Sequence, residues 1–297
     1  MQQDILRIEQ PDLFSLRECL WFLDRGYDDC LFRVNKEEVI KAILINGEPV
    51  LFSVSEEQAT LAVKILKGTP DARGQQTLKD YIIDWFDMRT DLQPFYRLLE
   101  KDKRLAYMSA DYRGLRLINI ADLFEALCWS IIGQQINLTF ACKLKRRLVE
   151  GYGQEIRWDD HSYHLFPACT VLANCTVADL KPMQFSDSKA RYLIGVAQAF
   201  ADNTLSRELI DSLPNYDEKH KALIAFKGIG TWTANYVLMK TLREPTAIPH
   251  GDVGLLKALT SHEIIRERNE VEKISRFFKK YKGWESYLVF YLWRSLS

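Results

Sequence analysis

The segment FKGIGTWTANYVLMKTLREPTAIPHGD, Phe226 to Asp252, gathers the residues best equipped for chemistry. It ends on an isolated carboxylate, Asp252, set off by Pro249 and Gly251 and followed by the helical pattern VGLLKAL. An aspartate there caps a helix by accepting its first-turn amide hydrogens. Those amides and the helix dipole favour the carboxylate form, which is what is needed beside a developing sugar cation. The two roles are compatible. Twenty residues earlier, Trp232 and Tyr236 stand four apart on one helical face. They are either a core stripe or the wall of a pocket, and the interleaved Thr231, Thr233 and Asn235 make the wall a fair competitor. Gly228-Ile229-Gly230 precedes them between two amphipathic stretches. Glycines permit a tight turn and close approach of a phosphate, and helix-start amides favour an anion. The segment reads as a plain turn or as a helix–hairpin–helix holding one phosphodiester.

Elements must position these groups. Helical periodicity covers 122–148, with a break near Gly133, and then Asp187–Ala201, Tyr216–Ala225, Thr231–Leu242, Val253–Leu259, Glu270–Lys280 and Trp284–Ser295. The first hundred residues differ. EVIKAILINGEPVLFSVS alternates on both sides of Asn46-Gly47 and predicts a hairpin. Residues 56–67 and Lys79–Thr90 are expected to be helices. The expected organisation is an α+β N-terminal domain over 1–100, a small antiparallel sheet with helices, followed by an all-α body over 101–297.

Bulk properties add limits. The 297 residues are 47% hydrophobic, enough for a large core, and 40 basic residues balance 40 acidic ones. The balance is uneven along the chain, with a net −6 over residues 1–100 and +6 over 101–297. Runs such as Lys143, Lys145, Arg146 and Arg147 are expected to be solvated helix faces. The N-terminus has no signal-peptide order and no apolar run reaches spanning length, so the chain reads as soluble and cytoplasmic with no membrane partner. The six cysteines form no CxxC and are expected to be free thiols. His161 and His164 are expected to be a loop pair rather than a metal site.

With these residues in place, the chain resembles the helix–hairpin–helix superfamily of DNA glycosylases, and within it the DNA-3-methyladenine glycosylase II family. Phe226–Asp252 fits the superfamily signature, and GIGTWTANY is similar to the family's hairpin and helix start. SIIGQQI (Ser130–Ile136) resembles its second motif, GLRLINIADLFEAL (Gly114–Leu127) the entry to its helical core, and YKGWESYLVFYLW (Tyr281–Trp293) its C-terminal helix. The likeness spans roughly 110–297 and is faint before that.

The resemblance implies a monofunctional glycosylase of base excision repair, which flips alkylated purines out of double-stranded DNA and leaves an abasic site. It implies Asp252 as the catalytic carboxylate. It implies Trp232, Tyr236 and Trp293 as the base pocket, with Phe22 or Trp21 closing it. Cationic bases would be held by the aromatic faces. Gly228, Gly230 and Thr231 would contact a phosphate, and Gln134, Gln135 and Ile136 the DNA, with Gln135 at the place of the usually apolar wedge. Main-chain carbonyls of Ile224, Phe226 and Ile229 would hold a monovalent cation, Na+ or K+, and no other cofactor is required. Val253 would leave one pocket wall small. Relatives that cut the strand carry a lysine where Trp232 stands, so no lyase step is implied. No cysteine follows Cys175, so no iron–sulfur cluster is implied. No obligate protein partner is implied. The alternatives are a non-catalytic DNA-binding module, an oxidised-purine glycosylase with lyase activity, and a helical interaction domain.

Overall fold

The computed structural model describes residues 5–27 and 29–296. Strands β1 (Ile5–Glu9), β2 (Phe32–Asn35), β3 (Glu38–Ile45), β4 (Glu48–Glu57) and β5 (Thr60–Lys67) form one antiparallel sheet in the order β1-β5-β4-β3-β2. The expected hairpin is present. Asn46 and Gly47 both take positive φ, at 53° and 83°, as a two-residue turn between right-twisting strands requires. Helix α1 (Leu16–Leu23) precedes the main run of strands, and α2 (Ala72–Trp85) follows it.

The helix expected at 56–67 is instead the end of β4, a two-residue turn and β5. Gln58 and Ala59 make the turn at φ 49° and 60°, and Glu57 pairs with Thr60. Neither residue is a customary turn former, so the sequence carries no turn signal there. Pairing with both β1 and β4 overrides the helical propensity of the Glu, Gln, Ala and Lys residues. The following helix begins at an Asp71 cap, whose carboxylate accepts the Gly74 amide at 2.8 Å, and ends at Trp85. It therefore starts before the expected Lys79 and ends before Thr90.

The helical body comprises α3 (Gln93–Leu99), α4 (Met108–Asp111), α5 (Leu123–Gly133), α6 (Leu138–Tyr152), α7 (Cys169–Ala173), α8 (Val177–Leu180), α9 (Asp187–Ala201) and α10 (Arg207–Asp211). It continues with α11 (Tyr216–Ile224), α12 (Thr231–Lys240), α13 (Val253–Ser261), α14 (Val271–Phe278) and α15 (Glu285–Arg294). A hairpin of β6 (Glu155–Trp158) and β7 (His161–His164) interrupts it, where loops were expected. Its Ile156 and Tyr163 pack on Ile40, Ala42 and Leu51, covering the sheet face that α2 does not. That second cover explains why Val50 to Val54 are buried in an unbroken run. His161 and His164 are thus on a strand, and no cluster of metal-ligating side chains exists among the described residues. No disulfide joins the six cysteines among the described residues, and Cys19, Cys30, Cys128 and Cys142 are buried.

One apolar cluster runs from Leu6 to Leu292 through both halves of the chain. Helix α15 is its keystone. Tyr287 Oη donates to Asp87 at 2.5 Å, Tyr291 Oη meets Tyr96 Oη at 2.9 Å, and Arg294 pairs with Glu18 at 3.1 Å. These contacts fix the C-terminal helix, and with it Trp293, against the N-terminal elements.

Candidate active site

Pro249 and the positive φ of Gly251, 82°, turn the chain so that Asp252 becomes the N-cap of α13. Its Oδ1 accepts the Leu255 amide at 2.7 Å, the ordinary capping bond. The same carboxylate takes two further donors. Trp293 Nε1 donates to Oδ1 at 2.9 Å, and Trp232 Nε1 donates to Oδ2 at 3.3 Å. No lysine or arginine pairs with Asp252 among the described residues. Three neutral N–H groups therefore orient a half-buried carboxylate without cancelling its charge.

Trp232 and Tyr236, one turn apart on α12, stack at 5.4 Å and 23°. Tyr236 meets Trp293 at 6.3 Å, so two helices, α12 and α15, contribute one aromatic wall around Asp252. The Trp232 and Tyr236 rings are both half-buried. Exposed Val253 follows Asp252 and adds little to that wall.

Behind Tyr236 lies a cavity of about 430 Å3, between the sheet and the helices. Phe22 lines it together with Tyr236, and packs at 4.7 Å on Phe290. Trp21 does not line it. It carries the Arg294 guanidinium on its face at 4.3 Å instead.

Sequence reasoning missed several residues of this cavity. Trp129, on α5 directly before the SIIGQQI motif, donates its indole N–H to Tyr236 Oη at 3.2 Å. Lys145 was expected on a solvated face, yet it is buried with Asp29 at 2.8 Å and Glu125 at 3.9 Å. The signal was available, since Lys145 falls in the buried stripe with Ala141, Leu144 and Leu148. Burial and, against it, the Lys145 charge set the Asp29 carboxyl below its usual range, whereas burial dominates at Glu125 and raises it. Lys240 sits between Phe22 and Phe290, at 4.3 and 4.7 Å from their centroids, and donates to the Ile118 carbonyl. Burial pushes its ammonium well below the usual lysine value.

The hairpin leads into α12, which carries Trp232 and Tyr236. Gly228 has φ 93°, and a side chain there would meet the Tyr192 ring at 2.3 Å. Gly230 is the N-cap of α12 at φ −90°, so its freedom is spatial rather than torsional, and its surroundings are open. No side chain caps α12, and exposed Thr231 begins it. Gln134 ties the second motif to the hairpin, donating to the Gly228 carbonyl at 2.8 Å and to Thr233 Oγ1 at 3.0 Å. Gln135, next to it, is exposed in the left-handed region at φ 56°, and Ile136 is half-buried. Ile224, Phe226 and Ile229 lie around the same turn, and the Phe226 carbonyl accepts the Ile229 amide at 3.1 Å.

Comparison with known proteins identifies the family of this fold. Residues 128–283 match the family "HhH-GPD superfamily base excision DNA repair protein", and residues 23–127 match "8-oxoguanine DNA glycosylase, N-terminal domain". The chain is 37% identical over 296 residues to a DNA-3-methyladenine glycosylase of Bacillus subtilis (strain 168), covering 99% of this chain and 97% of that protein. Its fold is similar to the 3-methyladenine DNA-glycosylase from Archaeoglobus fulgidus, with a TM-score of 0.82, 22% identity and 97% of each chain covered. It is similar also to the Clostridium acetobutylicum 8-oxoguanine glycosylase/lyase bound to double-stranded DNA. There the TM-score is 0.77 at 19% identity, over 99% of this chain and 97% of that one.

Proposed function

Because the chain belongs to the HhH-GPD superfamily of base excision DNA repair proteins, we propose that it is a monofunctional DNA glycosylase acting on alkylated purines in double-stranded DNA. The observation that carries this reading is the Asp252 carboxylate, oriented by Leu255, Trp232 and Trp293 and paired with no cation among the described residues. Negative charge preorganised in a half-buried site stabilises an oxocarbenium ion where the sugar C1′ would sit. The Trp232–Tyr236–Trp293 wall suits a flipped base, and a cationic one most of all, since ring faces attract cations. Such a base is already a good leaving group, so hydrolysis requires only the carboxylate and a water.

A lyase step would need an amine beside C1′. The hairpin offers the Trp232 indole at that position, which is why we favour base release without strand cutting. The N-terminal match to an 8-oxoguanine glycosylase domain favours a second substrate class, the oxidised purines. It supplies no nucleophile.

On the DNA side, the uncapped amides of α12 at Gly230 and Thr231, with Gly228, are the proposed phosphate grip. Gln135 is the proposed wedge, backed by Gln134 and Ile136. Carbonyl oxygens of Ile224, Phe226 and Ile229 are the donor type that a hard monovalent cation takes, and a carbonyl that already accepts one bond keeps a second lone pair. A cation there would stiffen the turn and add positive charge toward the phosphate. No other cofactor enters the reading. The division into an α+β domain over 1–100 and a helical body over 101–297 belongs to the same proposal, as does a monomeric, cytoplasmic enzyme with no obligate protein partner. No helix among the described residues is long and apolar enough to cross a membrane.

The test is release from methylated duplex DNA, with strands examined before and after alkali. Free 3-methyladenine and 7-methylguanine, with breaks only after alkali, are expected. DNA binding with no base released would leave a binding module. Breaks before alkali would return the lyase alternative.

A further inference from the structure

The loop that carries Gln135 is held from more sides than a surface turn needs. Gln135 is exposed at φ 56°, a left-handed conformation that glycine or asparagine adopts at much lower cost. Such a residue persists only where its surroundings over-determine it. Three ties do so here. Before it, Lys189 Nζ donates to the Ile132 carbonyl at 2.6 Å, in the last turn of α5. Beside it, Gln134 holds the hairpin through Gly228 and Thr233. After it, Asn137 caps α6 by accepting the Phe140 amide at 2.8 Å.

Lys189 is the costly tie. It stands half-buried in the first turn of α9, the end of a helix that disfavours a cation, and burial lowers its ammonium from the usual lysine value. The one acid of α9, Asp187, pairs with Lys181 and Arg191 instead. What the ammonium does meet is the negative end of the α5 dipole, directly before the loop. Tyr192, one turn further along the same face of α9, lies against Gly228, where a Cβ would meet its ring at 2.3 Å. Helix α9 thus touches both the Gln135 loop and the hairpin, and Gln134 closes the triangle.

We infer that Lys189 is a positioning residue that holds Gln135 at a fixed spacing from the hairpin, so that Gln135 enters the base stack as the hairpin grips the backbone. The inference rests on the glycosylase reading above, with Gln135 as its wedge, and adds the residue that sets the spacing. Extruding a nucleotide opens a gap that must be filled before the stack closes again. A loop already fixed in the inserting conformation loses little entropy at that step, whereas a loose one must first be ordered. Lys189 makes no bond to the DNA. It acts through the Ile132 carbonyl alone.

The experiment places 2-aminopurine beside a single 7-methylguanine in a duplex and follows its fluorescence in stopped flow as the target leaves the stack. Affinity for the same duplex is measured at several salt concentrations, and base release at single turnover. Lys189→Met is expected to slow extrusion about tenfold, the size of one hydrogen bond from a charged donor. Lys189→Arg keeps the donor and is expected to extrude at close to the wild-type rate. The slope of log affinity against log salt is expected to be the same in Lys189→Met as in wild type. A slope smaller by about one would mean that the ammonium contacts a phosphate directly, and would overturn the inference. So would an unchanged extrusion rate in Lys189→Met. The double variant Lys189→Met/Gln135→Gly is expected to be no slower than Gln135→Gly alone, because Lys189 acts through that residue. A further tenfold loss in the double variant would overturn the inference. Should Lys189→Met fail to fold, Lys189→Gln, whose side chain is one bond shorter, takes its place with the same expectations. Wild-type protein that extrudes the target but releases no base would sink the glycosylase reading, while the extrusion rates would still decide on Lys189.

Discussion

The Trp293 indole donates to Asp252 Oδ1 at 2.9 Å, joining the C-terminal helix to a helix cap 41 residues earlier. Gly254 leaves room for this bond, since a Cβ there would meet both Asp252 Oδ1, at 3.1 Å, and the Trp293 ring, at 3.4 Å. The carboxylate is thereby aimed by a residue that also forms the aromatic wall. Trp293→Phe keeps a ring and removes the donor. Its single-turnover rate on methylated duplex should fall roughly five- to tenfold, with a stability loss of about 1 kcal/mol in urea unfolding. An unchanged rate would show that Trp293 acts by packing alone.

The two hairpin glycines should separate cleanly. At Gly228 a methyl group faces the Tyr192 ring at 2.3 Å and the backbone is left-handed. Gly228→Ala should cost about 1–3 kcal/mol, read from denaturant midpoints. Gly230 has ordinary φ and open surroundings, so Gly230→Ala should change stability by less than about 0.5 kcal/mol. It should nevertheless weaken duplex binding, because the open space is where a phosphate would approach the α12 amides. Equal stability losses would contradict the geometry.

Lys145 pairs with two carboxylates in one buried group. Lys145→Met leaves Asp29 and Glu125 with only the more weakly acting Lys41 ammonium for compensation and should destabilise by about 3–5 kcal/mol at neutral pH. The loss should shrink as the pH is lowered and Glu125, whose folded-state value is raised, takes up its proton first. Chemical denaturation at several pH values checks this, and a loss that does not vary with pH would count against it.

Lys240 gives the opposite pH signature. Its folded-state value lies well below the unfolded one because burial outweighs the attraction of the Phe22 and Phe290 faces. Between those two values the unfolded chain binds a proton that the folded one does not. Stability therefore falls as the pH drops from the unfolded value toward the folded one, by at most about 1.4 kcal/mol per pH unit for this group. Lys240→Met should flatten that slope and raise the melting temperature at pH 7. A lowered melting temperature would mean that the amine is held charged.

Much of the site was legible because its parts are local. Asp252 after Pro249 and Gly251, and the four-residue spacing of Trp232 and Tyr236, are short-range signals that survive folding unchanged. Helices α9, α12 and α15 were legible from periodicity for the same reason. The cavity behind Tyr236 was not, because Phe22, Glu125, Trp129, Lys145 and Lys240 meet only when the sheet packs on the helices. Lys145 was lost in a run of charges, although its neighbours in the buried stripe marked it. The strand at Thr60–Lys67 was misread because its turn uses Gln58 and Ala59, and because sheet pairing is a long-range choice that local propensity does not record.

The central claim is that the negative charge of Asp252, rather than its capping bond, drives catalysis. Asparagine is as good a cap as aspartate, so Asp252→Asn removes the charge and keeps the helix start. The direct measurement is the single-turnover rate of 7-methylguanine release by Asp252→Asn beside wild type, with duplex affinity measured in parallel. A rate loss of about a hundredfold or more at similar affinity is predicted. A variant that releases the base at close to the wild-type rate would reduce Asp252 to a helix cap and contradict the account.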